Sequence, residues 1–273
     1  MQITIINDCC DQNAKLRQIS RAGSLFKNVS ANCFGVKSEI EAAGFLVDAV
    51  DTFEGREGVI LANVAPRKSE KDSDKIFEKR KRKNGTPFGY FWHRKTLIIS
   101  SVGELALSLI KKMKITEEIF ILNIPKVLEE VKSNLSAAQK RRIINSQFRS
   151  FDFLPRAAKW LLEKQDLPKE KFSLSKIKDS YPTIWFIDNF GNIKTTLLKS
   201  ELNYIDKYNV KIELNYNKKT TKEILPVYNC LKDLPEEKIG LITGSSGFGN
   251  KRFMEIILNG GSAARRLNIK PMV

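Results

Sequence analysis

Along the first half of the chain, short β-branched runs alternate with longer stretches whose apolar residues return every three or four positions. Residues 3–6 read as a strand that ends at the polar pair Asn7-Asp8. Between 12 and 26, Ala14, Ile19, Ala22 and Leu25 recur at helical spacing, and 31–36 predicts a second strand. A helix over 38–53 opens with Ser38 as its N-cap and carries Ile40, Ala43, Phe45, Val47 and Val50. The run GVILANV, 58–64, predicts a buried strand stopped by Pro66. Strands at 90–92 and 96–101 flank a turn at 93–95. A helix at 102–113, a strand at 119–122 and helices at 136–144 and 154–163 follow. This alternation predicts a layered α/β domain with a mixed, largely parallel sheet.

The pattern changes after Leu167. Residues 168–180, PKEKFSLSKIKDS, are rich in Lys and Ser without an apolar period, and are expected to form an interdomain linker. Beyond it come short strands at 183–188, 193–198, 210–216, 223–227, 239–243 and 253–258, with few helical stretches between them. That spacing predicts a small all-β barrel or sandwich. The expected organisation is an α/β domain over 1–167, the linker over 168–180 and a β-barrel-like domain over 181–273.

Composition narrows the function classes. A hydrophobic content of 42% with 16 Phe allows a real core, and no apolar run reaches the ~18 residues of a membrane span. The N-terminus turns polar too soon for a secretory signal, so a cytoplasmic location is expected. The four cysteines, Cys9, Cys10, Cys33 and Cys230, show neither CxxC spacing nor a disulfide framework, and are read as reduced, partly buried thiols. A single histidine, His93, cannot build a His-rich zinc site, so no metal centre is expected. The net charge of +16 is the one argument for a nucleic-acid partner. The basic residues are spread along the chain, and the densest run, 75–83, reads as a solvated loop.

Polar groups that could do chemistry gather at strand ends. IDNFGNIKTT (187–196) leaves an apolar strand through a carboxylate, an aromatic and a Gly-Asn turn, then enters a Thr-rich strand. GSSGFGNKRFMEIILNGGSAARRL (244–267) joins a Ser-Ser-Gly-Phe-Gly turn to an apolar strand, an Asn-Gly-Gly-Ser corner and a short Ala-rich helix. These segments resemble the second domain of the S-adenosylmethionine (SAM) hydroxide adenosyltransferases and of the related SAM-dependent chlorinases and fluorinases. INDCCDQN (6–13) and FRSFDFLPRAAKWL (148–161) resemble first-domain segments of the same group.

The resemblance implies displacement at C5′ of SAM by water or halide, releasing methionine and adenosine or a 5′-substituted adenosine. It implies that Asp8 accepts hydrogen bonds from the ribose diol, Asp188 binds the methionine ammonium and Ser245 its carboxylate. Phe190 would contact adenosine with Asn192 beside it, and the backbone at Gly261, Ser262 and Ala263 would read the adenine edge. Ser150 would face the nucleophile. No metal or redox cofactor is implied, and SAM enters as substrate or ligand. A homotrimer is implied, with sites between one subunit's first domain and its neighbour's second.

From the residues alone, Asp8 equally suits a helix cap and Asp188-Asn189 a turn. The chain also departs from the water-activating pattern: Ala65 stands where the family has Asp, and Arg149 where it has His. Neither acts as a general base at neutral pH. The halogenase pattern at the same place reads Ala65-Pro66-Arg67-Lys68. Arg149 or Arg67 would balance an anion's charge. The segment NGTPFGYF, 84–91, is read first as a hairpin, with Asn84, Thr86 and Tyr90 as candidate pocket residues. Two other readings stand beside the SAM-cleaving enzyme: a non-catalytic SAM or adenosine sensor, and an RNA-associated basic protein.

Overall fold

In the computed structural model, residues 1–65, 86–146, 148–216 and 219–270 are described. The apolar runs of the first unit, Met1–Lys178, become β1 (Gln2–Asn7), β2 (Ser30–Gly35), β3 (Gly58–Asn63), β4 (Phe88–His93), β5 (Thr96–Ser101) and β6 (Glu118–Leu122). With β7 (Lys169–Ser173) they form a seven-stranded sheet in the order β2-β1-β3-β5-β4-β6-β7. The half β2-β1-β3-β5 is parallel, whereas β4, β6 and β7 join it by antiparallel pairs. β3 and β5 are buried almost throughout, as expected of parallel strands covered on both faces.

Helix α1 (Gln12–Leu25) is capped by Asp11, whose side chain accepts the Ala14 N–H at 3.0 Å, and α2 (Glu39–Phe53) by Ser38. Three differences from the sequence expectation have local causes. The helix expected over 102–113 is confined to α3 (Ser108–Met113), because the preceding loop is held open by Glu39, which accepts the Leu105 N–H at 3.0 Å. An unexpected helix, α4 (Ile124–Glu130), starts at an Asn123 cap with Pro in its first turn, where the missing N–H does no harm. Residues 168–180, expected as a linker, contain β7, an edge strand anchored by buried Phe172 and by Lys171 paired to Glu118 at 2.6 Å. One buried side chain and backbone pairing suffice for an edge, so its lysines hid it. The unit is completed by α5 (Ala137–Asn145), α6 (Arg149–Asp152) and α7 (Leu154–Leu162). Phe153, Leu154, Ala157, Ala158 and Trp160 pack with Ile3, Ile5, Val59, Leu97 and Phe88 in one core.

The order of the parallel strands locates a crevice. The chain leaves β1 for β2 on one side, and β5 and β4 lie beyond β3 on the other, so the strand order reverses between β1 and β3 at their C-terminal ends. That is the topological switch point where open α/β sheets bind ligands. Asp8 follows β1 there and Ala65 follows β3.

The second unit, Asp179–Val273, contains β8 (Ile184–Ile187), β9 (Ile193–Leu198), β10 (Asn209–Tyr216), β11 (Lys219–Tyr228), β12 (Ile239–Phe248) and β13 (Lys251–Leu258). They form one six-stranded sheet, β10-β11-β12-β13-β9-β8, that curls into a half-barrel. A bridge between Thr183 and Asn215 brings its two edges together. Alternation in β10, with Val210, Ile212 and Leu214 inward and Lys211 and Glu213 outward, turns one face to the core. The expected Ser-Ser-Gly turn lies inside β12, and a single turn of helix, α8 (Ala263–Arg266), ends the described fold. Among the described residues no helix is long and apolar enough to cross a membrane.

Candidate functional site

At the rim of the first unit, side chains stitch the ends of the parallel strands together. Asn7 is fully buried, and its Oδ1 accepts the Asn63 Nδ2 at 3.2 Å and the Cys9 N–H at 3.3 Å. The Asp8 N–H donates to the Asn63 carbonyl at 3.2 Å, and Asp8 Oδ2 accepts the Ala65 N–H at 3.0 Å. Ser101, at the end of β5, accepts the Val64 N–H at 3.1 Å. Asp11, not Asp8, caps α1. Asp8 therefore stands at the mouth of the crevice, and Ala65 contributes its amide to fix that carboxylate's orientation.

The other first-unit candidates are held by different partners. Ser150 accepts a hydrogen bond from Gln18 Nε2 at 3.3 Å, and the Arg149 guanidinium lies 5.7 Å from the centroid of the Phe88 ring. Burial lowers the Arg149 pKa, yet a guanidinium stays charged at neutral pH. Tyr90 is a core residue of β4, 5.5 Å from the Phe120 ring, with its hydroxyl pushed up by burial. Thr86 precedes that strand, so 88–93 forms half of a β4–β5 hairpin. Asn84, Arg67, Lys68 and the basic run 75–83 lie outside the described residues.

In the second unit the two motifs meet. The Asp188 carboxylate organises the β8–β9 turn: Oδ1 accepts the Phe190 and Asn192 N–H groups, both at 2.9 Å, and Oδ2 accepts Asn192 Nδ2 at 2.9 Å. Gly191, at φ +83°, sits against Ser262, and its carbonyl accepts the Ala264 N–H at 2.9 Å. Ser262 caps α8, Ala263 is fully buried, and the Gly261 N–H donates to the Leu258 carbonyl at 3.1 Å. Asp188, Asn192, Gly261, Ser262 and Ala263 thus belong to one rigid corner. Phe190 projects from it with 79% of its surface exposed. A large ring held out on a fixed turn is a ready stacking platform.

Ser245 lies on a β-bulge. Between the Thr243–Met254 and Gly247–Arg252 pairs, Gly244, Ser245 and Ser246 oppose only Phe253. Such bulges re-aim side chains, and here Ser245 is exposed while Ser246 is buried. Beneath them lies a cluster not anticipated from sequence. Lys194 Nζ donates to Ser246 Oγ at 2.7 Å and to Glu255 Oε1 at 2.8 Å, and the same Oε1 accepts the Ser245 N–H at 3.3 Å. The Lys194 and Glu255 side chains are only 13% and 7% exposed. A lysine in IKTT and a glutamate in MEIIL, each interrupting an apolar strand, were the available signal: charges buried in neighbouring strands must pair.

Residues 182–272 match the family model described as the SAM hydroxide adenosyltransferase C-terminal domain. The chain's fold is similar to that of an uncharacterized conserved protein from Thermotoga maritima, with a TM-score of 0.60 and 15% identity over 98% of this chain and 97% of that one. A conserved hypothetical protein from Thermus thermophilus is also similar, with a TM-score of 0.55 and 15% identity over 98% and 96% of the two chains. No curated protein matches. At that identity the solved structures speak for the fold alone. The matched segment contains both the Asp188–Asn192 turn and the Ser262 corner, so the two motifs that build this site lie within the part of the chain that resembles a SAM hydroxide adenosyltransferase C-terminal domain.

Proposed function

We propose that the protein binds SAM and cleaves it by nucleophilic displacement at C5′, releasing methionine and adenosine or a 5′-substituted adenosine. The observation that carries this reading is the rigid Asp188–Asn192 turn locked onto the Ser262 corner, with Phe190 left exposed, inside the segment that matches the SAM domain family. In this reading Phe190 stacks on the adenosine, and the corner at Gly261, Ser262 and Ala263 faces the adenine edge. Three of the roughly four acceptor sites of the Asp188 carboxylate hold the turn, leaving Oδ2 the capacity to receive one ammonium N–H. Ser245 would take the methionine carboxylate and Asp8 the ribose diol.

The chemistry asks for alignment more than for a base. The sulfonium makes methionine a good leaving group, so an aligned, partly desolvated nucleophile suffices for inversion at C5′. Ser150 would donate to that nucleophile, and Arg149 would offset the charge of an anionic one. In a homotrimer, Asp8 and Ser150 of one subunit would face Asp188, Phe190 and Ser245 of another.

One observation favours a second reading, a SAM or adenosine binder without turnover. The Ala65 amide occupies Asp8, and Arg149 is stacked on Phe88, where the family would place water-activating groups. Mass spectrometry after incubation with SAM in chloride, fluoride or neither distinguishes the two. Adenosine or a halogenated adenosine, formed with methionine and lost in Phe190→Ala, supports the enzyme. Calorimetric binding without product supports the binder, and absence of binding overturns both.

A further inference from the structure

Cys10 and Cys33, 23 positions apart, place their sulfurs 3.7 Å from each other. Cys33 lies on β2, and Cys10 lies in the loop between β1 and α1, two residues beyond Asp8. A second feature shows how the pair is seated. Gly35 shares the Cys33 face of β2, and a Cβ at Gly35 would approach the Cys10 Cβ to 2.9 Å and its sulfur to 3.3 Å. Bare backbone at that position leaves the space in which Cys10 rests against Cys33. Both thiols are partly buried, whereas Cys9 and Cys230 are exposed. The adjacent Cys9 and Cys10 therefore differ in setting: Cys9 is exposed, and Cys10 rests partly buried against a second thiol.

We infer that Cys10 and Cys33 are an oxidative modification site, which takes a two-electron oxidant of the hydroperoxide class and closes to an intramolecular disulfide. In the first step the Cys10 thiol attacks the peroxide, its sulfur takes one oxygen to become a sulfenic acid, and one water leaves. In the second the Cys33 sulfur attacks the sulfenic sulfur, the S–S bond forms, and the displaced hydroxyl leaves with the Cys33 proton as a second water. Two thiols are oxidised by two electrons and one peroxide is reduced. Cys10 lies in the loop beside exposed Cys9, whereas Cys33 is held on a paired strand, which assigns the opening attack to Cys10; burial and the adjacent sulfur also push the Cys33 thiol up. The sulfurs must close to about 2.05 Å. β2 is paired with β1 along Gln2–Asn7, so the loop beyond Asn7 makes the movement. Oxidation therefore draws the segment carrying Asp8 towards β2. This inference does not depend on SAM as the ligand.

The test uses the full chain with the exposed thiols removed, Cys9→Ser/Cys230→Ser. It is treated with equimolar hydrogen peroxide, alkylated without reduction and mapped by mass spectrometry. The expected result is a monomer lighter by two hydrogens with a Cys10–Cys33 cross-linked peptide, both thiols returning with dithiothreitol. Adding Cys33→Ala should stop the reaction at a Cys10 sulfenic acid that dimedone traps. Two alkylatable thiols after treatment, sulfinic acid on Cys10 with Cys33 still free, or cross-links between molecules would each overturn the proposal. Should the Cys33→Ala protein not fold, the peptide map of the double variant decides alone.

Discussion

Gly191→Ala is the sharpest perturbation of the corner in the second unit. At φ +83° an alanine pays about 1–2 kcal/mol for left-handed backbone. Its Cβ would lie 2.0 Å from Ser262 Oγ and 2.7 Å from Ser262 Cβ, so the serine must leave its place. Moving it breaks the cap on the Arg265 N–H, at about 1 kcal/mol, and overpacking adds about 1–3 kcal/mol. The total, about 3–6 kcal/mol, is a large part of the ~5–15 kcal/mol that holds a domain folded. Urea denaturation reads the loss, with Trp185 reporting the second unit. Ser262→Gly alone should cost a few tenths of a kcal/mol, because glycine serves nearly as well at an N-cap. Combined with Gly191→Ala it removes the clash and leaves the backbone penalty, so the pair should couple by about 2–4 kcal/mol. A loss below about 1 kcal/mol in the single variant, or no recovery in the double, would refute the contact between turn and corner.

Phe190→Ala removes an exposed ring, so stability should change by no more than about 0.5 kcal/mol. SAM or adenosine affinity measured by calorimetry should fall by about 5–150-fold, the equivalent of losing one stacked base worth about 1–3 kcal/mol. Lys194→Met leaves Glu255 charged and buried, and should cost about 3–5 kcal/mol in denaturant. Lys194→Met/Glu255→Leu should recover most of that, short of the Ser245 N–H left without its acceptor. Burial raises the Glu39 carboxyl above the ordinary glutamate range in the folded state. The folded protein therefore holds that proton more tightly, and stability falls as pH rises from the ordinary value through the raised one. Glu39→Gln keeps an oxygen for the Leu105 N–H and should flatten the decline between acid and neutral pH in thermal melts. Glu41, also raised by burial, keeps part of it in place.

Local pattern and tertiary arrangement contributed different parts of this account. The apolar runs 58–64 and 96–101, the Ser38 cap and the helical period over 12–26 announce their elements, because burial and capping act on neighbours in the chain. The turn IDNFGN is legible for the same reason: its carboxylate bonds residues two and four positions on. Lys169–Ser173 was not legible as a strand, since its pairing with β6 involves backbone atoms that carry no side-chain signal. The bulge at Gly244–Ser246 likewise depends on the opposing strand, and a turn was read in its place.

The sequence by itself determined the two classes of unit and the types of polar group at their strand ends, through periodicity and short-range hydrogen bonding. Only the tertiary structure decided which of those groups meet. It set Asp8 against the Ala65 amide, 57 positions away, and Lys194 against Glu255, 61 positions away. It also brought Cys10 to Cys33, where sequence spacing argued for unrelated thiols. Each of these contacts is made across neighbouring strands or the loops beyond them, where sheet order and register, rather than distance along the chain, set what touches what.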